Sequence, residues 1–347
     1  MSVTGNTALR FSEEQAMLLD VSRDFCRDRA PIAAVRGQLE SETGFDPALW
    51  QEMVAMGWTG IALPEACGGS GLGIPGAVPV IESMGRAMLG TPLISSTLAG
   101  QLLLRAGGPG QRESLLSEIA AGVPATVALL ESGDWGDERL TCTVDGDGLL
   151  RGVKQFVTDA GVAQIFVVAV ECRGAPALAV VRAEALGEGA IRPNTLIDRT
   201  RRAAAVDFDG VVVAPDGLVT DERIPAALRD LRLLGALLAA AEAAGSAAAC
   251  LDTVVEYLKT RKQFGRLIGS YQALKHPVVD ILTGVDAARS FVYHAATLVG
   301  GESLGREAEI ACRMAKAQAT ETLAYAGDRA VQFHGGMGFT WECDAQL

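Results

Sequence analysis

Three textures of apolar and polar positions follow one another along this chain. Helical spacing dominates the first third. Phe11-Ser12 followed by Gln15 has the form of a capping box with a hydrophobic staple, and Met17, Val21 and Phe25 then recur every four residues, the spacing of one helical face. Further helices are expected over PALWQEMVAMGW and PVIESMGRAML, with the turn-rich loop LPEACGGSGLGIPG between them. The second texture consists of short, Val-rich runs bounded by Gly or Pro: AQIFVVAVEC, APALAVVRAE and AAVDFDGVVVAPDG. An Asp-Gly step inside TCTVDGDGLLRGVKQFVTDA signals a hairpin. Long helical patterns then return over roughly 227–263, 270–300 and 305–333, and their short connections favour an antiparallel bundle. Helices, sheet, then helices, with the strands segregated, indicate a multidomain α+β chain. The expected domains are helical over about 1–122, mostly antiparallel β over about 123–222, and a helical bundle over about 223–347.

Within the third texture, LLGALLAAAEAAGSAAAC (Leu233–Cys250) holds one ionisable side chain, Glu242. A carboxylate buried there costs several kcal/mol unless it is paired, protonated or used. It is either a catalytic base, a structural acid with a partner, or a polar interruption of a membrane span. The span reading is the weakest, because Glu242 splits the run, alanine is only weakly lipophilic and no Trp/Tyr belt flanks it. No membrane span is expected.

Composition narrows the picture. At 347 residues, 49% hydrophobic and 21% charged, the chain has room for two or three globular domains. A formal charge of -12 argues against a general nucleic-acid or anionic-membrane surface, so an anionic ligand needs a local basic cluster. The seven cysteines are scattered without a CxxC pair and read as buried free thiols of a reducing compartment. MSVTGNTALRFSEEQ lacks the basic start and apolar core of a signal peptide, so a cytoplasmic location is expected.

Most catalytic signatures are missing. There is no P-loop, HExxH or GxSxG, and His276, His294 and His334 have no ligand spacing, so no metal site is expected. Gly71–Gly76 matches GxGxxG. A dinucleotide loop needs a strand before it, whereas here Pro64 and a glycine loop precede it and Pro75 sits inside, so a structural loop is expected.

Two segments carry more chemistry. YLKTRKQFGRLIGSYQALKHP places Arg261, Lys262 and Arg266 around Gln263 and Phe264. Arginine forks suit phosphate oxygens, the amide suits a phosphate or heterocycle, and Phe offers a flat wall. Cations gathered at a helix C-terminus explain the same residues equally well. VQFHGGMGFTWE follows a long helix, and its Gly pair either admits another backbone or ligand closely or simply caps the helix.

Taken in order, four segments resemble the acyl-CoA dehydrogenase family of flavoproteins: ALWQEMVAMGWTGIALPEACGGSGLG, LRGVKQFVTDAGVAQIFVVA, TRKQFGRLIGSYQALKH and QFHGGMGFTWE. The resemblance covers nearly the whole chain. It implies the acyl-CoA dehydrogenase fold, with an N-terminal helical domain, a middle antiparallel β-domain and a C-terminal helical bundle that mediates oligomerisation. It also implies FAD lying between β-domain and bundle, its adenosine half reaching a neighbouring subunit. Arg261 and Gln263 would hold that neighbour's pyrophosphate with Phe264 beside it, and Gln332, Gly335 and Gly336 would line the adenine end. Phe156 stands where the family often has Trp against the flavin, and Thr158 where a hydroxyl meets flavin N5. Glu131 and Ser132 fall in the segment that lines flavin and substrate, although ALLESGDWGDE departs from the family's Gly-Ser-rich form.

The implied chemistry is α,β-desaturation of an acyl-CoA thioester, with an electron-transfer-flavoprotein-like acceptor. A carboxylate takes the α-proton while hydride leaves from the β-carbon. Many members place that base beyond the Gly-Gly segment. Others place it twenty-six residues before the Arg of RxQFG, which is Gly235 here, followed by Ala236 where an Arg is usual. Glu242 lies seven residues on, about 10 Å along a helix. Two assemblies are therefore open: a self-sufficient dehydrogenase, as homodimer or homotetramer, with Glu242 or another residue as base; or a shorter subunit without a base in a heterotetramer acting on steroid or other bulky thioesters.

Overall fold

The computed structural model describes residues 13–106 and 109–347, so Phe11 and Ser12 of the expected capping box lie outside the described residues. Six helices come first: α1 Glu13–Arg29, α2 Ile32–Gln38, α3 Pro47–Ala55, α4 Gly73–Ala87, α5 Leu93–Ala106 and α6 Pro109–Ala120. The strands are β1 Ala125–Ala128, β2 Thr143–Val144, β3 Leu150–Arg151, β4 Val153–Thr158, β5 Ile165–Cys172, β6 Ala175–Arg182, β7 Ile191–Pro193, β8 Ala203–Asp207 and β9 Leu218–Val219. Then come α7 Ile224–Thr260, the hairpin β10 Lys262–Gln263 and β11 Arg266–Leu267, α8 Gln272–Leu298 and α9 Arg306–Phe333.

The chain divides into two compact units. One contains α1, α4, α8, α9 and α7 from Leu233 onward; the other contains α3, α5, α6, strands β1 to β9 and the start of α7.

In the strand-containing unit, β5 explains the architecture. Its run IFVVAV is buried on both faces, and alternate residues serve different cores. Ile165, Val167 and Ala169 pack with Leu102, Leu103, Leu116 and Ile119 of α5 and α6 and with Leu231 of α7. Phe166, Val168 and Val170 pack with Val157, Val206 and Phe208 near the second sheet. The first sheet has the order β3-β2-β5-β6-β9, with β1 also on β5; the second is β4-β8-β7. Most pairings are antiparallel, as expected, while β1 and β2 both run parallel to β5. The expected Asp-Gly hairpin is present, joining β2 to β3.

In the helical unit, α4 is the organising helix. The loop before it contains a 3-10 turn, Glu65–Cys67, rather than a strand, as expected for a structural GxGxxG. Pro79 has no N–H to give the Pro75 carbonyl one turn back, and Gln15 Nε2 donates to that carbonyl instead at 3.2 Å. Ser83 Oγ donates to the Pro79 carbonyl at 2.9 Å and shares a 2.8 Å bond with Ser22 Oγ of α1. That buried hydroxyl pair turns α1 so that Leu19, Ser22 and Cys26 face inward. Met17 and Val21, on the four-residue stripe read from the sequence, are exposed.

Helix α7 crosses α4 backbone to backbone. A Cβ on Gly85 would collide with the Glu242 carbonyl, and one on Gly245 with the Glu82 carbonyl. Ser246 Oγ lies within hydrogen-bonding range of both the Gly85 carbonyl, at 2.9 Å, and the Glu242 carbonyl, at 3.1 Å. Further along, Ala247 and Ala248 pack with Ile281, Val285 and Ala326 of α8 and α9. By length and composition alone α7 could cross a bilayer, yet half of its most apolar window is buried inside the protein.

Candidate functional site

On the strand-containing unit, the site residues cluster at the end of β4. Strict alternation would put Phe156 on the same face as Lys154. The pairing with β8 shifts register between Lys154 and Val157, and Phe156 adopts φ +50°. This bulge keeps Lys154 and Val157 inward and pushes Phe156 out of the core. Its ring meets Trp135 at a centroid distance of 5.2 Å and an interplanar angle of 32°. Thr158 is exposed, and the turn that follows is pinned: Thr126 Oγ1 donates to the Thr158 carbonyl at 2.6 Å, and Ser95 Oγ donates to Asp159 Oδ2 at 2.6 Å.

Behind this turn lies an ion pair absent from the sequence reading. Lys154 is fully buried, its Nζ 2.5 Å from Glu131 Oε1 and 3.1 Å from the Leu129 carbonyl. Glu131 Oε1 also accepts from Cys142 N–H at 3.1 Å, and Oε2 accepts from both the N–H and hydroxyl of Thr141. Burial pushes the Glu131 carboxyl up. Hydrogen bonds from Lys154 and Thr141, the Lys154 charge and the Cys142 N–H outweigh that and hold it below its usual 4.5. Both carboxylate oxygens of Glu131 are thus engaged by protein donors, which suits bracing of the loop root. Ser132 Oγ accepts from Asp134 N–H at 3.2 Å and shapes the following turn.

On the helical unit, Arg261, Lys262, Gln263 and Phe264 form an exposed hairpin immediately after α7. Phe264 at φ +53° and Gly265 at φ +79° make its tip, and Phe264 is 91% exposed. Arg266 is occupied, its guanidinium lying over the Tyr271 ring at 4.0 Å. Among the described residues, no hydrogen bond or ion pair engages the Arg261 guanidinium or the Gln263 amide. Gln332, Gly335 and Gly336 are exposed at the end of α9; Gly335 has φ +60°, and a Cβ at either glycine would meet open space. Beside them His334 stacks on Tyr257 at 4.3 Å. On this unit the Arg261 guanidinium, the Gln263 amide and the bare glycine backbone at Gly335 and Gly336 offer donors that suit the phosphate and heterocycle of a dinucleotide.

Two family models match the chain: the acyl-CoA dehydrogenase N-terminal domain over residues 12–123 and C-terminal domain over 215–347. Acyl-CoA dehydrogenase IpdE2 of Mycolicibacterium smegmatis is 32% identical over 340 residues, spanning 97% of this chain and 91% of the relative. The chain belongs to the acyl-CoA dehydrogenase family. Acyl-CoA dehydrogenases are FAD-dependent oxidoreductases acting on CH–CH bonds, and the helix–sheet–helix order is their fold. Among solved structures, a steroid ACAD, Tcur3481-Tcur3483, superposes with TM-score 0.83 at 29% identity, covering 96% of this chain and 89% of its own. The ChsE4-ChsE5 complex from Mycobacterium tuberculosis does so with TM-score 0.83 at 26% identity, covering 95% and 89%.

The base remains the distinctive feature of this dehydrogenase-family chain. Gly235 stands on α7 where the family resemblance places a carboxylate, and Glu242 is half-buried two turns further along. A second carboxylate escaped the sequence reading. Glu82 of α4 is buried, with Tyr293 Oη donating at 2.7 Å and ion pairs to Arg289 at 2.9 Å and Arg23 at 3.6 Å. Burial first, and the Glu82 charge second, push the Tyr293 phenol far up. Its signal was the same as that of Glu242, an acid inside an apolar run, AVPVIESMG. With two arginines and a tyrosine on it, Glu82 ties α1, α4 and α8 together. All seven cysteines are free, six buried and Cys250 half-buried, as expected, and burial pushes the Cys26 and Cys142 thiols up to about 12. Among the described residues no cluster of His, Cys, Asp and Glu could hold a metal.

Proposed function

We propose that this chain serves the FAD-dependent α,β-dehydrogenation of a bulky, ring-bearing acyl-CoA thioester, as the subunit of a heteromeric assembly that lacks its own base. The observation that carries this reading is Gly235: at the position on α7 where the resemblance puts a base, there is no side chain to take the α-proton. Bound FAD supplies hydride acceptance. Arg261 and Gln263 would hold the phosphate oxygens of a neighbouring subunit's dinucleotide with Phe264 beside them, and Gln332, Gly335 and Gly336 would line its adenine end. Phe156 walls the flavin ring, and Thr158 offers a hydroxyl held in place by the pinned turn.

Glu242 is in this reading a structural acid. Its backbone is locked against α4 at Gly85, and it stands about 10 Å along α7 from the expected base position. The likeness to the steroid ACAD Tcur3481-Tcur3483 supports the bulky substrate, and the likeness to the ChsE4-ChsE5 complex supports the heteromer. So does the exposed apolar surface of the C-terminal helices, with Val279 and Leu282 on α8 and Ile310 and Met314 on α9. Electrons leave to an electron-transfer-flavoprotein-like acceptor.

The deciding experiment purifies the chain alone and with a co-expressed second dehydrogenase subunit. The expected outcome is that yellow protein, bleached anaerobically by acyl-CoA, forms only with the second subunit. A chain that is yellow alone and bleached by acyl-CoA alone would show a self-sufficient dehydrogenase instead.

A further inference from the structure

Trp135 is unusual for its type. It is 71% exposed in a loop that is otherwise well tied down. At the loop's root Glu131 is fixed by Lys154, at its middle Asp134 Oδ1 accepts from Gly136 N–H at 2.9 Å, and at its end Arg139 clasps Asp137 at 2.8 and 2.9 Å. An indole held rigid in water forgoes the burial that normally repays ordering a large aromatic side chain. Among the described residues, the ring it meets is Phe156, which the β4 bulge has lifted out of the core toward it. Two backbone devices, a bulge at φ +50° and a braced loop, thus build one aromatic platform.

The charges around the platform say what it accepts. Asp134, Asp137 and Glu138 flank Trp135, and the nearby cations are already paired, Arg139 with Asp137 and Arg232 with Glu138 at 2.5 Å. Phosphate oxygens are therefore disfavoured beside the indole, while a neutral, flat, apolar group is favoured. Of the groups an acyl-CoA thioester brings to the strand that faces the flavin, only the acyl moiety has that character. We infer that Trp135 is a specificity-determining residue that stacks on the ring portion of the acyl group and selects flat, ring-bearing thioesters over short straight ones. This rests on the proposed function, which puts Phe156 at the flavin.

Calorimetric titration of the FAD-loaded protein, with any subunit it requires, tests this with two probes, naphthoyl-CoA and butyryl-CoA. Trp135→Ala is expected to weaken naphthoyl-CoA about tenfold, while butyryl-CoA changes less than about twofold and Trp135→Phe keeps naphthoyl-CoA within about threefold of wild type. Because Trp135 is exposed and supports no core, both variants fold. Equal losses for the two probes, no loss for either, or tighter naphthoyl-CoA binding in Trp135→Ala overturns the assignment. So does a variant that sheds FAD while keeping the wild-type ratio of probe affinities. A wild-type assembly that holds no FAD refutes the proposed function instead; the probe comparison still decides the role of Trp135, since neither thioester has to be oxidised.

Discussion

Gly85 of α4 and Glu242 of α7 touch through their backbones, the missing Cβ of the glycine leaving room for the glutamate carbonyl. Gly245 and Glu82 repeat the relationship one turn away, with the roles of the two helices exchanged. Two helices this close cannot admit a methyl group at either glycine without separating. Gly85→Ala and Gly245→Ala are each expected to cost about 3 kcal/mol, the upper range for overpacking, because backbone cannot rotate aside as a side chain can. Gly327 on α9 is the control: a Cβ there meets open space, and Gly327→Ala is expected to gain about 0.5 kcal/mol from helix propensity. Calorimetric melting of the three variants checks the opposite signs.

The buried pair Lys154–Glu131 makes the β-domain acid-sensitive. The Glu131 carboxyl sits below its usual 4.5 in the folded protein, so the unfolded chain binds its proton first as pH falls. Its stabilising contribution is therefore complete above about pH 4.5 and is lost as pH drops through the lower folded value. Melting temperature measured from about pH 6 to pH 3 is expected to fall less steeply for Glu131→Gln than for wild type. Lys154→Met removes the cation from a half-buried carboxylate that keeps only its Thr141 and Cys142 donors, and is expected to cost about 3 kcal/mol at neutral pH.

What the amino-acid sequence revealed and what it hid divide along one physical line. Apolar runs bounded by turn formers or regular in period were legible: IFVVAV as a strand, the alanine-rich α7, the hairpin at the Asp-Gly step. Positions decided by a paired polar group were not. Ser22 is buried on α1 because Ser83 meets its hydroxyl, and hydropathy alone points instead to the Met17–Val21 stripe. Lys154 reads as a surface lysine until the bulge at Phe156 is known, since the bulge sets which β4 residues share a face. Trp135 was passed over in a glycine- and aspartate-rich loop, whose only visible oddity was an aromatic residue where turn formers prevail.

Tyr293 gives the helical unit the opposite pH response. Burial, then the charge of Glu82, raises its folded pKa far above the ordinary 10, so the unfolded chain loses that proton first. Its contribution is fully present below about pH 10 and is lost as pH rises beyond it. Tyr293→Phe removes the 2.7 Å bond to Glu82 and is expected to cost about 1.5 kcal/mol at neutral pH, since the acceptor is charged. The same variant is expected to melt with a flatter profile between about pH 9 and pH 11, which thermal scans across that range read directly.

The acid that stands out in the alanine run yields the sharpest functional test. A general base must come within about 3 Å of the proton it removes, and contributes at least about a hundredfold to the rate. Glu242 is anchored through its own carbonyl at the α4 crossing, and sliding α7 to bring it to the level of Gly235 would drive Gly85 and Gly245 into backbone. Glu242→Gln, assembled with the second subunit and loaded with FAD, is therefore expected to show anaerobic flavin bleaching by acyl-CoA within about twofold of wild type. Stopped-flow absorbance measures it. A fall of about a hundredfold with FAD content unchanged would make Glu242 the base and the heteromer unnecessary.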